Sequence, residues 1–143
     1  MNTRKYLSQI NHLEESIKNK RERAAAYYEL AGSPGSPNFS GMPRNPSPSQ
    51  SPMADAICKA IDLEEQAKRE ETLLNQKKVF LLDLIGRLQC HDGQSVLIQR
   101  YFSHKTWDDI SAELFYTTRW VYKLHDKAMA ELDVLFPAEN EIP

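Results

Sequence analysis

The chain has 143 residues, 27% of them charged and 41% hydrophobic, with a formal net charge of −2 and a pI near 6.1. That length holds one domain, or a small domain with an extended arm, and only a modest core. The charge balance excludes a protein that grips nucleic acid through bulk basicity, so any such contact must come from a local patch and stay modest unless a second subunit contributes.

The first predicted element is a helix from Thr3 to about Ala31. Tyr6, Ile10, Leu13, Ile17, Lys20, Ala24, Tyr27 and Ala31 alternate in steps of four and three, and Lys20 is the one member that is neither apolar nor aromatic. Such a narrow stripe suits packing against another helix. From Gly32 to Pro52 the run GSPGSPNFSGMPRNPSPSQSP has no apolar periodicity, and it reads as a flexible linker over residues 32–52. A long helix is predicted next, from about Met53 to Gln89. Its stripe is Ala56, Ala60, Leu63, Ala67, Leu74, Leu81, Leu84 and Leu88, interrupted by Glu70 and Lys77. Two patterned helices flanking a connector predict an antiparallel, coiled-coil-like hairpin. Intermolecular pairing of the same stripes, giving a homodimer, is the competing solution.

Cys90-His91-Asp92-Gly93 breaks the pattern, and Gly93 is read as the helix stop. A shorter helix is predicted from about Gln94 to Phe102, with Val96, Leu97 and Tyr101 buried. Thr106-Trp107-Asp108-Asp109 has the form of a capping box and starts a helix over Trp107–Leu114, with Trp107, Ile110 and Leu114 on one face and small Ser111 beside them. A turn at Phe115-Tyr116-Thr117 follows. Thr117 or Thr118 then caps a last helix whose inner face is Val121, Leu124, Ala128 and Leu132. The tail, residues 137–143, is polar and expected to fray. The predicted fold class is therefore all-α. A helical arm spans residues 1–92, and a helix-turn-helix spans residues 93–136.

The outer face of the last helix carries Thr118, Arg119, Tyr122, Lys123 and Lys127. A helix apolar within and Thr/Arg/Tyr/Lys without can present its amino-terminal half to a major groove. Arg119 and Lys123 suit guanine edges or phosphates, Thr117 and Thr118 suit phosphate, and Tyr122 suits a phosphate or a thymine methyl. Arg100 and Lys105, just upstream, are placed to clamp the DNA backbone.

The run LIQRYFSHKTWDDISAELFYTTRWVYKLHDKAMAEL, Leu97 to Leu132, resembles the helix-turn-helix of sigma-70 region 4. The layout of the whole chain resembles small phage proteins of the ArpU/RinA type, a group associated with late transcription regulation. That resemblance implies that Thr117, Thr118, Arg119, Tyr122 and Lys123 fall on DNA-contacting positions, and it makes host RNA polymerase a candidate partner. Phe115 and His104 stand where the pattern carries glycine, so each is expected either to take left-handed backbone or to reshape its turn. From Val96 to Leu132 the basic and acidic residues balance to zero, so the basic ones must be segregated onto one face.

Other chemistry finds little support. Cys58 and Cys90 form no CxxC, which fits a reduced cytoplasmic protein without a disulfide. Cys90-His91 and His104 lack paired zinc-ligand spacing, no cofactor motif is present, and His125 reads as a helix-surface or DNA-backbone residue. No GxSxG, P-loop or HExxH occurs, so an enzyme is not expected. No apolar run reaches the ~20 residues of a membrane span, and MNTRKYLSQ has no signal-peptide core. The expected function is sequence-specific recognition of double-stranded DNA by a phage-type transcription regulator in the bacterial host cytoplasm, acting as a homodimer or with RNA polymerase. A small-terminase-like packaging protein and a DNA-independent module targeting RNA polymerase are the two alternatives.

Overall fold

A computed structural model describes residues 2–32 and 51–143, so most of the predicted linker lies outside the described residues. The described residues are all-α. In chain order they form α1 (Thr3–Ala31), α2 (Pro52–Ile85), α3 (His91–Tyr101), α4 (Trp107–Leu114), α5 (Thr118–Leu135) and a closing 3-10 turn, Glu139–Glu141. The chain divides into two compact units, one of residues 12–74 and one of residues 1–11 with 75–143.

In the first unit the stripes pair within the chain. Ala24, Ala60 and Leu63 are buried together with Tyr27 against them, and Tyr28 bonds Glu64 while Ser16 bonds Glu70. Rising numbers on one helix meet falling numbers on the other, which makes the pair antiparallel. The polar interruptions also find each other: Lys20 forms an ion pair with Glu70, and Arg21 with Glu71. Burial pushes the Glu70 carboxyl up, but hydrogen bonds from Lys20 and Ser16 and the charge of Lys20 outweigh it and leave the group below its ordinary range. A lysine and a glutamate inside otherwise apolar stripes pair in only one alignment, so they specify register more than they stabilise.

The second unit gathers the start of α1, the end of α2 and all later helices. Tyr6 is fully buried, with ring centroids 5.4 Å from Phe80 and 5.5 Å from Phe136, both edge-on. Burial pushes its hydroxyl pKa up to about 12. The Thr3 amide donates to Asp133 Oδ1 at 2.9 Å, satisfying one of the donors a helix start leaves open. The tail is tied down rather than frayed: the Pro143 carbonyl accepts from Lys77 Nζ at 2.7 Å.

Two predicted boundaries are corrected. Helix α2 stops at Ile85 instead of Gln89, because its last turn tightens: Arg87 N donates to Leu84 O and Leu88 N to Ile85 O, both at 3.0 Å. Leu88 stays buried, so the leucine spacing outlives the helix. Gly93 is no stop. Helix α3 begins at His91, capped by the Cys90 thiol, which accepts from Gly93 N at 3.4 Å. Gly93 lies inside α3 because α5 crosses it closely: a Cβ there would stand 3.2 Å from Ala128 Cβ. Valine at 93 would press its branched side chain on the Ala128 Cβ of α5, which has no rotamer to move into. Gly93→Val is expected to cost about 2 kcal/mol, read as a lower urea midpoint at unchanged slope.

Candidate nucleic-acid interface

Helices α3, α4 and α5 pack around one apolar centre. Val96, Ile110, Val121 and Leu124 are buried together, with Cys90, Trp107 and Leu114 against them. The hydroxyl half of the expected capping box forms at Thr106, and of the two candidate threonines Thr117 caps α5. Thr106 accepts from Asp109 N at 3.2 Å, and Thr117 accepts from Trp120 N at 3.2 Å.

Both turns that enter these helices use left-handed backbone at a residue other than glycine, His104 (φ 54°) and Phe115 (φ 59°). These are the two positions at which the resemblance placed glycine. The α4–α5 turn compensates with hydrogen bonds. Tyr116 N donates to Ser111 O at 3.1 Å, and the Ser111 hydroxyl donates to the Tyr116 carbonyl. Ser111 therefore closes the turn. The Phe115 ring is 93% exposed and contributes almost no burial. Phe115→Gly removes the left-handed penalty, partly offset by the extra freedom of an unfolded glycine, and is expected to raise stability by up to about 1 kcal/mol in urea titration.

Burying Val121, Leu124, Ala128 and Leu132 turns the opposite side of α5 to solvent. Arg119, Lys123 and Lys127 are exposed there, as are Tyr122 and the capping Thr117, while Thr118 is half-buried. No carboxylate occurs on α5 before Asp126, so its amino-terminal half is locally basic despite the balanced charge of the unit. The helix dipole adds positive potential at that same end. Tyr122 is held against Trp107, with ring centroids 5.0 Å apart.

Arg100 and Lys105 stand apart from this group. The Arg100 guanidinium donates to the Lys105 carbonyl at 3.0 Å and lies 4.4 Å from the Trp107 ring centre, so it braces the α3–α4 turn. Lys105 is paired with Glu113. Within this structure both cations are engaged by the protein.

His125 is a correction: it is buried at 6% exposure, not on the surface. Its Nε2 lies 2.7 Å from the Tyr101 hydroxyl, its Nδ1 lies 3.1 Å from Asp126 Oδ1, and its ring meets Trp107 at 5.0 Å. Burial lowers its pKa below the ordinary histidine value, against the opposing pull of Asp126. A partner 24 residues away is not visible in local periodicity.

Sequence reasoning also missed an open groove of about 820 Å³ on one flank of α5. Cys90, Leu124 and Trp120 line it together with Phe115, Lys123 and Lys127. Tyr116 lines it too and donates to Asp92 Oδ2 at 2.7 Å, which with the carboxylate charge raises the tyrosine pKa. Among the described residues no group of three or more His, Cys, Asp and Glu side chains is placed to hold a metal, and Cys58 and Cys90 are free thiols. No described helix is long and apolar enough to cross a membrane. No protein-family model, curated protein or solved structure matches the chain.

Proposed function

We propose that the chain is a sequence-specific DNA-binding regulator of transcription that reads the major groove of double-stranded DNA with the amino-terminal half of α5. The observation that carries this reading is the combination of a capped, well-buried inner face with an outer face of Arg119, Tyr122 and Lys123, free of carboxylates until Asp126. An arginine and a lysine one turn apart supply donors for guanine edges, and Thr117 and Thr118 at the helix start supply phosphate contacts. The resemblance to sigma-70 region 4 points the same way and makes a phage-type regulator working with host RNA polymerase the specific form of the proposal.

A single small reading head on a chain of net charge −2 binds weakly, so function as a homodimer or beside the polymerase is part of the proposal. Selection from random duplexes at fixed salt is expected to yield a consensus site. The double variant Arg119→Ala with Lys123→Ala is expected to lose on the order of 2–4 kcal/mol of affinity for that site with an unchanged helical circular-dichroism spectrum. A selection without consensus, or a double variant that binds as tightly as the wild type, rejects the reading. Strictly monomeric light scattering, free and on DNA, would remove the homodimer.

A further inference from the structure

We propose that the groove flanking α5 binds an acidic protein segment carrying a branched or aromatic apolar anchor, and that this segment competes with DNA for the helix. The competition rests on the DNA-binding reading; the groove itself does not.

The first ground is Phe115. Its backbone is left-handed (φ 59°) and its ring is 93% exposed, so the fold gains nothing from a phenylalanine where glycine would sit without strain. Strain retained at an exposed aromatic on the rim of a groove points to a use outside the fold. The second ground is the lining. Leu124 and Cys90 form an apolar floor, and Trp120, 46% exposed, stands beside it with its ring centre 6.5 Å from Tyr116. Such a floor accepts an aliphatic or aromatic side chain. Neither Leu124 nor the weakly bonding Cys90 thiol satisfies the donors and acceptors of a nucleobase edge. The third ground is charge. Lys123 and Lys127, one turn apart, line the groove with Asp92 as the one carboxylate among the lining residues, and Asp92 is already engaged by the Tyr116 hydroxyl. Acidic residues flanking an apolar anchor complement that rim.

Overlap with the DNA face gives the competition. Thr117, Lys123 and Lys127 belong to both surfaces, whereas Arg119 does not line the groove. An occupant would therefore cover part of the proposed DNA-binding face and mask its positive charge.

The test begins with selection of random twelve-residue peptides on the immobilised full chain. Enrichment of peptides with Asp or Glu around Leu, Ile, Phe or Trp is expected. The affinity of a fluorescein-labelled winner is then measured by anisotropy. Phe115→Gly, Trp120→Ala, and Lys123→Glu with Lys127→Glu should each weaken the peptide by about tenfold or more, while Arg119→Ala leaves it within about twofold. Circular dichroism confirms that each variant is folded. No enrichment, enrichment without acidic residues, or binding indifferent to Phe115→Gly overturns the proposal. So does tight binding of single-stranded oligo(dT) that the same groove substitutions abolish, since the site would then serve nucleic acid. Peptide that binds the groove but fails to displace the selected duplex retains the docking site and overturns the competition. If no duplex is ever selected, the DNA reading fails while the peptide measurements still decide the groove.

Discussion

Ile110→Ala is expected to cost about 3–4 kcal/mol, above the low end of the range for emptying a fully packed isoleucine site. Ile110 is completely buried on α4 and meets Val96 from α3 and both Val121 and Leu124 from α5. The cavity is thus walled by three helices at once. One of those walls, α4, is braced at both ends: by the Thr106 cap with the Arg100 bond at its start, and by the Ser111–Tyr116 bonds at its end. A site that cannot close retains more of its cavity and pays the larger penalty. Domains of this size have about 5–15 kcal/mol in total, so the variant stays folded at room temperature with a much lower urea midpoint. Trp107 and Trp120 both lie in this unit, so tryptophan fluorescence reads it directly. A loss below about 1 kcal/mol would mean that the three helices do not share the core described here.

Much of this architecture was legible because local rules and tertiary demands agreed. The boundaries of α1 follow from an apolar stripe interrupted once, at Lys20. Those of α4 and α5 follow from Thr106 and Thr117, whose hydroxyls do at each start what their chemistry allows. Lys20, Glu70 and Lys77 looked like defects in the stripes. They proved to be one ion pair and one cation set 4.9 Å from the Tyr6 ring centre. What failed rested either on weak local signals or on chain segments far apart in sequence. Leu88 continues the leucine spacing past the real end of α2, because a tightened turn buries it just as a helix would. Cys90 is a weak and uncommon cap, so nothing local marked the start of α3. Gly93 resembles a stop until Ala128 is seen to press on it. The groove exists only because the start of α3 and the flank of α5 meet, and no pattern within either helix encodes that meeting.

His125 makes the three-helix unit sensitive to acid. The neutral ring is satisfied at both ends: Nδ1–H donates to Asp126, and Nε2 accepts from Tyr101. Protonation places a cation in a site at 6% exposure, beside Tyr101 and Trp107 and within the repulsive reach of Arg4 and Arg100, with Asp126 the one carboxylate favouring it. Burial dominates, so the folded pKa lies below the unfolded value of about 6.5. The sign follows directly. The unfolded chain binds the proton more readily, so stability from this group is complete above about pH 6.5 and falls as pH drops from there through the folded pKa. Glu70 acts in a lower window, since its folded pKa is depressed from 4.5 and its contribution is lost only as the pH falls below that value. Urea midpoints measured by tryptophan fluorescence are therefore expected to decline from pH 7 to pH 5. His125→Gln should lose about 2 kcal/mol at pH 7, through the missing ring contact and the imperfectly replaced bonds, and should flatten that decline. A variant whose midpoint falls as steeply as the wild type places the titrating group elsewhere. The effect reaches the proposed DNA face through packing: His125 supports Trp107, and Trp107 supports Tyr122, each ring pair at 5.0 Å. Loss of affinity for the proposed DNA site is thus expected only as the pH falls through the folded pKa of His125, where the folded ring itself gains the proton, and to be weaker in His125→Gln.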